Sequence, residues 1–263
     1  MKLVFAAGSH PRHAFIARKL HDLGLLDGLV IEQREVHVPK PPTDLPLETA
    51  NLFNHHFKQR QKIELDFFEH ADFPRVPKIV VSRAEINSEQ VRQFLQKIAP
   101  TLFISYGIHI LNNATLACVT GEKWNIHGGL SPWYRGCITH FWPSYLLEPQ
   151  MTGMTIHELT DQLDAGDIVQ QNCAPLVAGD GLHHLSCRAV SSMVDEFEML
   201  FKIFDKQRYV IKKKHKSSGR IWRSSDWHPH HLHLIYDYYN DAVVDHYLSG
   251  HLNKKTPKLF RQF

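Results

Sequence analysis

The sequence predicts an α/β fold: a doubly wound, Rossmann-like, parallel-rich sheet with helices on both faces and a small C-terminal extension. Three observations predict it. Short apolar, β-prone runs alternate with stretches of helical spacing from the N-terminus to His127, the order a parallel sheet with crossover helices requires. A Gly-Gly pair, Gly128-Gly129, follows the last of these runs, at the place where the ligands of such folds sit beyond the carboxyl ends of the strands. With 263 residues of which 43% are hydrophobic, the chain can build a sizeable core.

Each element has its own signal. Met1-Lys2-Leu3-Val4-Phe5-Ala6-Ala7-Gly8 is an apolar run ending in Gly, and a helix from Ala14 to Leu25 completes the first βα unit. Leu29 to Glu32 reads as the second strand. Prolines between Pro39 and Pro46 forbid regular structure there, and Phe53, Phe57, Ile63 and Phe67 at near-helical spacing make Glu48 to His70 one helix or two. Lys78 to Ser82 is the third strand. Asn87 with Gln90 then reads as a capping pair for a helix from Ser88 to Ile98. Thr101 to Ser105 and Trp124 to His127 are the fourth and fifth strands. Ala178 to Gly181 breaks the chain before a long helix from Leu182 to Lys206, with Asp180 as its cap.

The remaining stretch, 207–263, holds Trp222, Trp227, Tyr236, Tyr238 and Tyr239, and Val243 to Leu248 at helical spacing. It is too short for an ordinary independent domain, so it reads as an extension docked on residues 1–206.

The chemistry-bearing residues cluster between Trp124 and Gln171. Asn125 and His127 stand two apart, which on a strand end puts both side chains on one face. Asp164 precedes a small-Gly turn. An amide donor, an imidazole and a carboxylate are the parts of a site that stabilises an oxyanion and moves a proton. Gly8, Ser9 and His10 follow the first strand, where such folds often bind a phosphate at a helix start; the same three residues also suit a plain turn.

Composition excludes other classes. Net charge is only +3, and the single basic run, Lys212 to Lys214 with His215 and Lys216, reads as a solvated loop, so no nucleic-acid partner is expected. No apolar run approaches the ~20 residues of a membrane helix. Cys118, Cys137, Cys173 and Cys187 form no Cys-x-x-Cys pair and no signal peptide is evident, which suggests free thiols in the cytoplasm. The histidines of 228–233, and His55 with His56, lack a Cys or carboxylate at ligand spacing, so no metal is expected.

The ordered set Asn125-Ile126-His127, Pro132-Trp133-Tyr134-Arg135-Gly136, Thr152-Gly153-Met154-Thr155 and Leu163-Asp164-Ala165-Gly166-Asp167 resembles the catalytic domain of the folate-dependent formyltransferases. Where many members read Ser-Leu-Leu-Pro, this chain has Gly129-Leu130-Ser131-Pro132. The resemblance implies that 1–206 is the catalytic domain, with Asn125, His127 and Asp164 catalytic. It implies 10-formyltetrahydrofolate as formyl donor, lying against Ile108, His109, Leu111 and Leu116 on one side and Leu159, Asp161 and Gln162 on the other. Gly8, Ser9, His10, Tyr134 and Arg135 are expected to bind the acceptor. The chain is longer than the minimal glycinamide ribonucleotide type and has no room for the larger C-terminal domain of methionyl-tRNA formyltransferases. By elimination a nucleotide-linked amino sugar is the favoured acceptor. Other amines, a hydrolase releasing formate from the same donor, a folate-binding regulatory protein, and a homodimer all stay open.

Overall fold

The computed structural model describes residues 1–160, 162–214, 220–253 and 255–263. A seven-stranded sheet forms the centre. Its strands are β1 (Leu3–Gly8), β2 (Leu26–Glu32), β3 (Lys78–Val81), β4 (Leu102–Tyr106), β5 (Glu122–His127), β7 (Gly153–Glu158) and β8 (Ile168–Cys173), in the order β3-β2-β1-β4-β5-β7-β8. The first five are mutually parallel; β7 runs antiparallel to β5, and β8 antiparallel to β7, back in the direction of the first five. The short β6 (Arg135–Gly136) pairs separately with β9 (Ile221–Trp222).

Both faces of the sheet are buried, which is why the strands read as continuous apolar runs. Leu3, Phe5 and Ala7 of β1 face α1 (Pro11–Asp22), α6 (Leu182–Asp195) and α7 (Phe197–Gln207), with Ile16, Leu20, Leu185, Met193 and Phe201 among the side chains filling that layer. Val4 and Ala6 face the other way, onto α3 (Glu89–Ile98) and α4 (Asn113–Leu116) through Val91, Leu95 and Leu116. Such two-sided cover is the doubly wound arrangement. The order reverses between β1 and β4, so the loops after these two strands diverge and leave a crevice at their carboxyl ends.

Several boundaries differ from expectation for identifiable reasons. Pro11 occupies the first position of α1, where its fixed φ suits a helix start, so the helix begins three residues early and ends before Gly24, at φ 69°. The insertion between β2 and β3 is one 22-residue helix, α2 (Leu47–Phe68). Ser88, not Asn87, caps α3; Asn87 instead accepts from the Asn112 amide at 2.8 Å and donates to the Ile110 carbonyl at 2.9 Å. The helix expected from Leu182 to Lys206 breaks at Glu196, whose carboxylate accepts from Gln170 at 2.6 Å and pairs with Arg261 at 2.5 Å. Asp180 does not cap α6 but pairs with Arg188, and the cap is supplied from far away: Asp241 accepts the Leu182 amide proton at 2.8 Å.

Beyond residue 207 the chain packs onto the loops that follow β5. Trp222, Leu232, Ile235 and Val243, the last opening α8 (Val243–Leu248), share a cluster with Phe53, Leu130, Trp142 of α5 (Trp142–Tyr145) and Leu182. Lys212 contacts Glu122 at 2.8 Å and Glu158 at 2.7 Å, while His215 and Lys216 of the basic run lie outside the described residues. No helix among the described residues is long and apolar enough to cross a membrane.

Asp241 gives a stability prediction. Burial pushes its carboxyl up to about 6 despite the bond from Leu182. A folded-state value above the unfolded one means a contribution present at pH 4 and lost as pH rises through 6, on the order of 2 kcal/mol. Asp241→Asn keeps the acceptor oxygen and tolerates the φ of 54° at this position. Thermal melts at pH 4.5 and 7.5 are expected to show the wild type losing several degrees more than the variant on going to pH 7.5; equal losses would refute the assignment.

Candidate active site

The crevice at the carboxyl ends of β1, β4 and β5 is a cleft of about 580 Å³. Asn125, His127 and Asp164 line it together with a residue that spacing alone did not reveal, His157. The antiparallel register explains how they meet: Asn125 of β5 stands opposite His157 of β7, and His127 stands opposite Thr155. Asp164 arrives on the loop between β7 and β8, held at φ 45°.

Hydrogen bonds fix the orientation of each group. The Ser105 hydroxyl donates to Asn125 Oδ1 at 2.8 Å, which turns the Asn125 Nδ2 toward His157 Nε2, 3.2 Å away. His157 donates from Nδ1 to the Glu158 carbonyl at 2.7 Å, so in its neutral form Nε2 is an acceptor. That same Nε2 lies 3.4 Å from Asp164 Oδ1. His127 donates from Nε2 to the Tyr134 carbonyl at 2.8 Å and turns Nδ1 to Asp164 Oδ2 at 3.5 Å. One carboxylate therefore faces two imidazoles, each of whose outer nitrogens is tied to backbone.

The electrostatics follow from burial. Desolvation draws His127 below its ordinary value, and the Asp164 charge partly opposes this. For Asp164, burial alone would raise the carboxyl; the His127 and His157 rings and the Gly136 amide, which donates at 2.8 Å, hold it well below the carboxylate range instead. An ionised Asp164 beside a neutral His127 is a pair able to accept one proton at His127 Nδ1 and stabilise it there.

The backbone around His127 is packed tightly. A Cβ on Gly129 would come within 2.5 Å of the Tyr134 carbonyl oxygen and 2.8 Å of His127 Nε2, so only glycine lets the ring reach its acceptor. Thr155 braces the same loop, donating to the Gly129 carbonyl at 2.7 Å and accepting from the Ser131 amide at 3.0 Å.

Of the residues expected at the donor side, Ile108, His109, Leu111, Leu159 and Gln162 line the cleft, and Ile108, Leu111, Leu159 and Leu163 give it an apolar wall. His109 is anchored by Glu32, a fully buried carboxylate at the end of β2, through a 2.5 Å contact to the ring and a 2.8 Å bond from its amide. Leu116 packs instead in the core beneath α3. Asp161 lies outside the described residues.

On the acceptor side, His10 lines the cleft; Gly8 and Ser9 do not, and the Ser9 hydroxyl accepts the Arg34 amide at 2.9 Å. Tyr134 and Arg135, also expected there, are not among the residues lining the cleft. Each is 3% exposed and faces away from the cleft: the Tyr134 hydroxyl donates to Glu148 at 2.7 Å, and Arg135 donates to the carbonyls of Asp164 at 2.9 Å and Leu163 at 2.7 Å. The Tyr134 carbonyl holds His127, and the Arg135 guanidinium braces the Asp164 loop. Among the histidines of the extension, His233 sits near Glu48 and Asp237, but Thr49 and Asp237 already engage its two nitrogens at 2.9 and 2.5 Å.

The formyl transferase family model matches residues 48–194, more than half of the chain. The chain belongs to the formyl transferase family. A methionyl-tRNA formyltransferase from Anaplasma marginale (strain St. Maries) is 33% identical over 144 residues, 52% of this chain and 44% of that protein, so the chain spans less than half of this relative. Among solved structures, a phosphoribosylglycinamide formyltransferase from Anaplasma phagocytophilum aligns with TM-score 0.56 at 15% identity, covering 84% of this chain and 98% of that one. A sugar N-formyltransferase from a Shewanella species aligns at 0.54 and 17%, covering 86% and 78%. An N-formyltransferase from Helicobacter canadensis in complex with folinic acid and dTDP-3-aminofucose aligns at 0.52 and 15%, covering 87% and 73%. These likenesses establish a shared formyl transferase fold.

Proposed function

We propose that the chain is an N-formyltransferase that passes a formyl group from 10-formyltetrahydrofolate to a primary amine of a small molecule, a nucleotide-linked amino sugar being the favoured acceptor. The observation that carries this reading is the meeting of Asn125, His127, His157 and Asp164 on one cleft in a member of the formyl transferase family. The folate donor supplies an electrophilic formyl carbon whose oxygen gains negative charge when an amine adds.

Asn125 Nδ2 has a second proton beyond the one shared with His157, and it serves as the donor to that oxygen. His127 Nδ1 takes the proton that the attacking nitrogen must lose, Asp164 stabilises the resulting imidazolium, and the proton leaves to the folate nitrogen as the carbon–nitrogen bond to the donor breaks. Ile108, Leu111 and Leu159 present apolar surface suited to a flat heteroaromatic ring, and the backbone of the loop after β4 supplies donors and acceptors for its edge. Complexes of relatives with folinic acid and with an amino-sugar nucleotide support the donor and acceptor classes proposed.

The test is a thermal-melt titration with 5-formyltetrahydrofolate, followed by formylation assays on amino-sugar nucleotides. At ~100 times the dissociation constant a ligand adds ~2.7 kcal/mol, and the midpoint is expected to rise by a few degrees. A flat melt at millimolar folate would overturn the reading.

A further inference from the structure

The cleft does not stop at the catalytic cluster but extends into a lobe between α1, α2 and α6. Helix α2 carries His56, Arg60 and Glu64 at four-residue spacing, so one of its faces presents all three. Arg12 of α1 spends its guanidinium on the buried Glu64 while its side chain stays part-exposed at the lobe. Glu64 also faces His37 at 3.4 Å. Arg60 is left short of counter-charge. It donates to the His37 carbonyl, its Nε is buried with no partner, and its charge lies over the Phe57 ring at 4.8 Å. Two guanidiniums thus share Glu64, and the other carboxylate acting on Arg60, Glu35, is exposed and paired with Arg34. Burial and the Arg12 charge push Arg60 down to about 10, as expected of a cation that an anion would relieve.

A second, independent observation points into the same space. His140 and His183 line the lobe at 8% and 5% exposure, and in each ring Nε2 is buried without a partner. In each ring a neutral imidazole leaves Nε2 free to accept or to donate one hydrogen bond, and no group among the described residues takes that place. Desolvation keeps both rings neutral. Buried polar atoms are satisfied as a rule, so a pair of orphaned ring nitrogens beside an under-compensated guanidinium describes the ligand they lack. That ligand carries an oxyanion at one end and hydroxyl or amino groups next to it.

We propose that this lobe is the anion subsite for the amine acceptor. Arg60 binds a phosphoryl group there, with Arg12 adding to the field, while Nε2 of His140 and His183 form hydrogen bonds with hydroxyl or amino groups of the same molecule. The acceptor is then a hydroxylated primary amine carrying a phosphate or diphosphate, an inference that rests on the formyl-transfer reading of the adjoining cluster.

Inorganic pyrophosphate is the probe, titrated calorimetrically into the full chain with malonate as a dicarboxylate control. Saturable pyrophosphate binding is expected, about tenfold or more tighter than malonate, and weakened about tenfold or more by Arg60→Gln, a variant whose melt shows that it folds. In the wild type, pyrophosphate is expected to protect Arg60 from phenylglyoxal, read by peptide mass spectrometry, which keeps the test valid if the variant misfolds. Equal affinity in Arg60→Gln, malonate binding as tightly as pyrophosphate, unprotected Arg60, or no saturation by 10 mM would each overturn the subsite (a ceiling of roughly 10 mM corresponds to binding near 3 kcal/mol). The folate titration separates the two readings. Folate binding without pyrophosphate binding removes the subsite alone, and pyrophosphate binding with a flat folate melt removes formyl transfer alone.

Discussion

Asp164→Asn is expected to lower kcat/KM for formyl transfer by about a thousandfold or more while the protein folds normally. The substitution keeps the shape of the side chain, and Asn is among the few residues that tolerate the φ of 45° found here. The charge is what disappears. Asp164 opposes the desolvation that draws His127 down, so without it the imidazole becomes a weaker base and any imidazolium at Nδ1 loses its counter-ion. The sign of the pH effect follows. In the wild type the acid limb of the kcat/KM profile lies below 6.5, because desolvation holds His127 under its ordinary value; in Asp164→Asn that limb moves to still lower pH. A variant with wild-type activity, or an acid limb displaced upward, would remove Asp164 from the proposed chemistry.

His127→Ala is expected to cost a similar factor, about a thousandfold, and to leave the folate-induced rise in melting temperature in place. His127 is buried and tied to the Tyr134 carbonyl, so its removal opens a small polar void, yet the apolar wall of Ile108, Leu111 and Leu159 is untouched. This pair of readouts distinguishes an enzyme from a folate-binding regulator. In the regulator, function in cells survives the substitution along with folate binding; in the enzyme, binding persists and turnover goes.

The parts of this molecule that were legible in the sequence are those whose signal is local. Asn125 and His127 share a strand face because they are two residues apart, and the apolar runs of β1, β2 and β4 announce strands buried on both sides. What escaped is what depends on partners distant in the chain. His157 lies on a strand that turned out antiparallel to β5, and it matters only because that register sets it opposite Asn125. The cap of α6 escaped for the same reason, since Asp241 lies 59 residues beyond the amide it accepts. Tyr134 and Arg135 were visible as a motif, but the direction of their side chains was not. Arg135 reaches the carbonyls of Leu163 and Asp164, on a loop 28 and 29 residues further along the chain. The lobe beside the cluster needed α2, whose His56, Arg60 and Glu64 are unremarkable in sequence until α1 and α6 close over them.

The pairing of β6 with β9 reaches further than its two residues suggest. Gly136 gives its amide proton to Asp164, and the strand that carries Gly136 is held by Ile221 and Trp222, with the Cys137 amide bonded to the Trp222 carbonyl at 2.8 Å. During synthesis, a ribosome that has released residues 1–206 has released Asn125, His127, His157 and Asp164, but not the strand against which the Gly136 turn is set. Catalytic competence is therefore expected to arrive late on the ribosome, when Trp222 emerges, well after the central strands can pair.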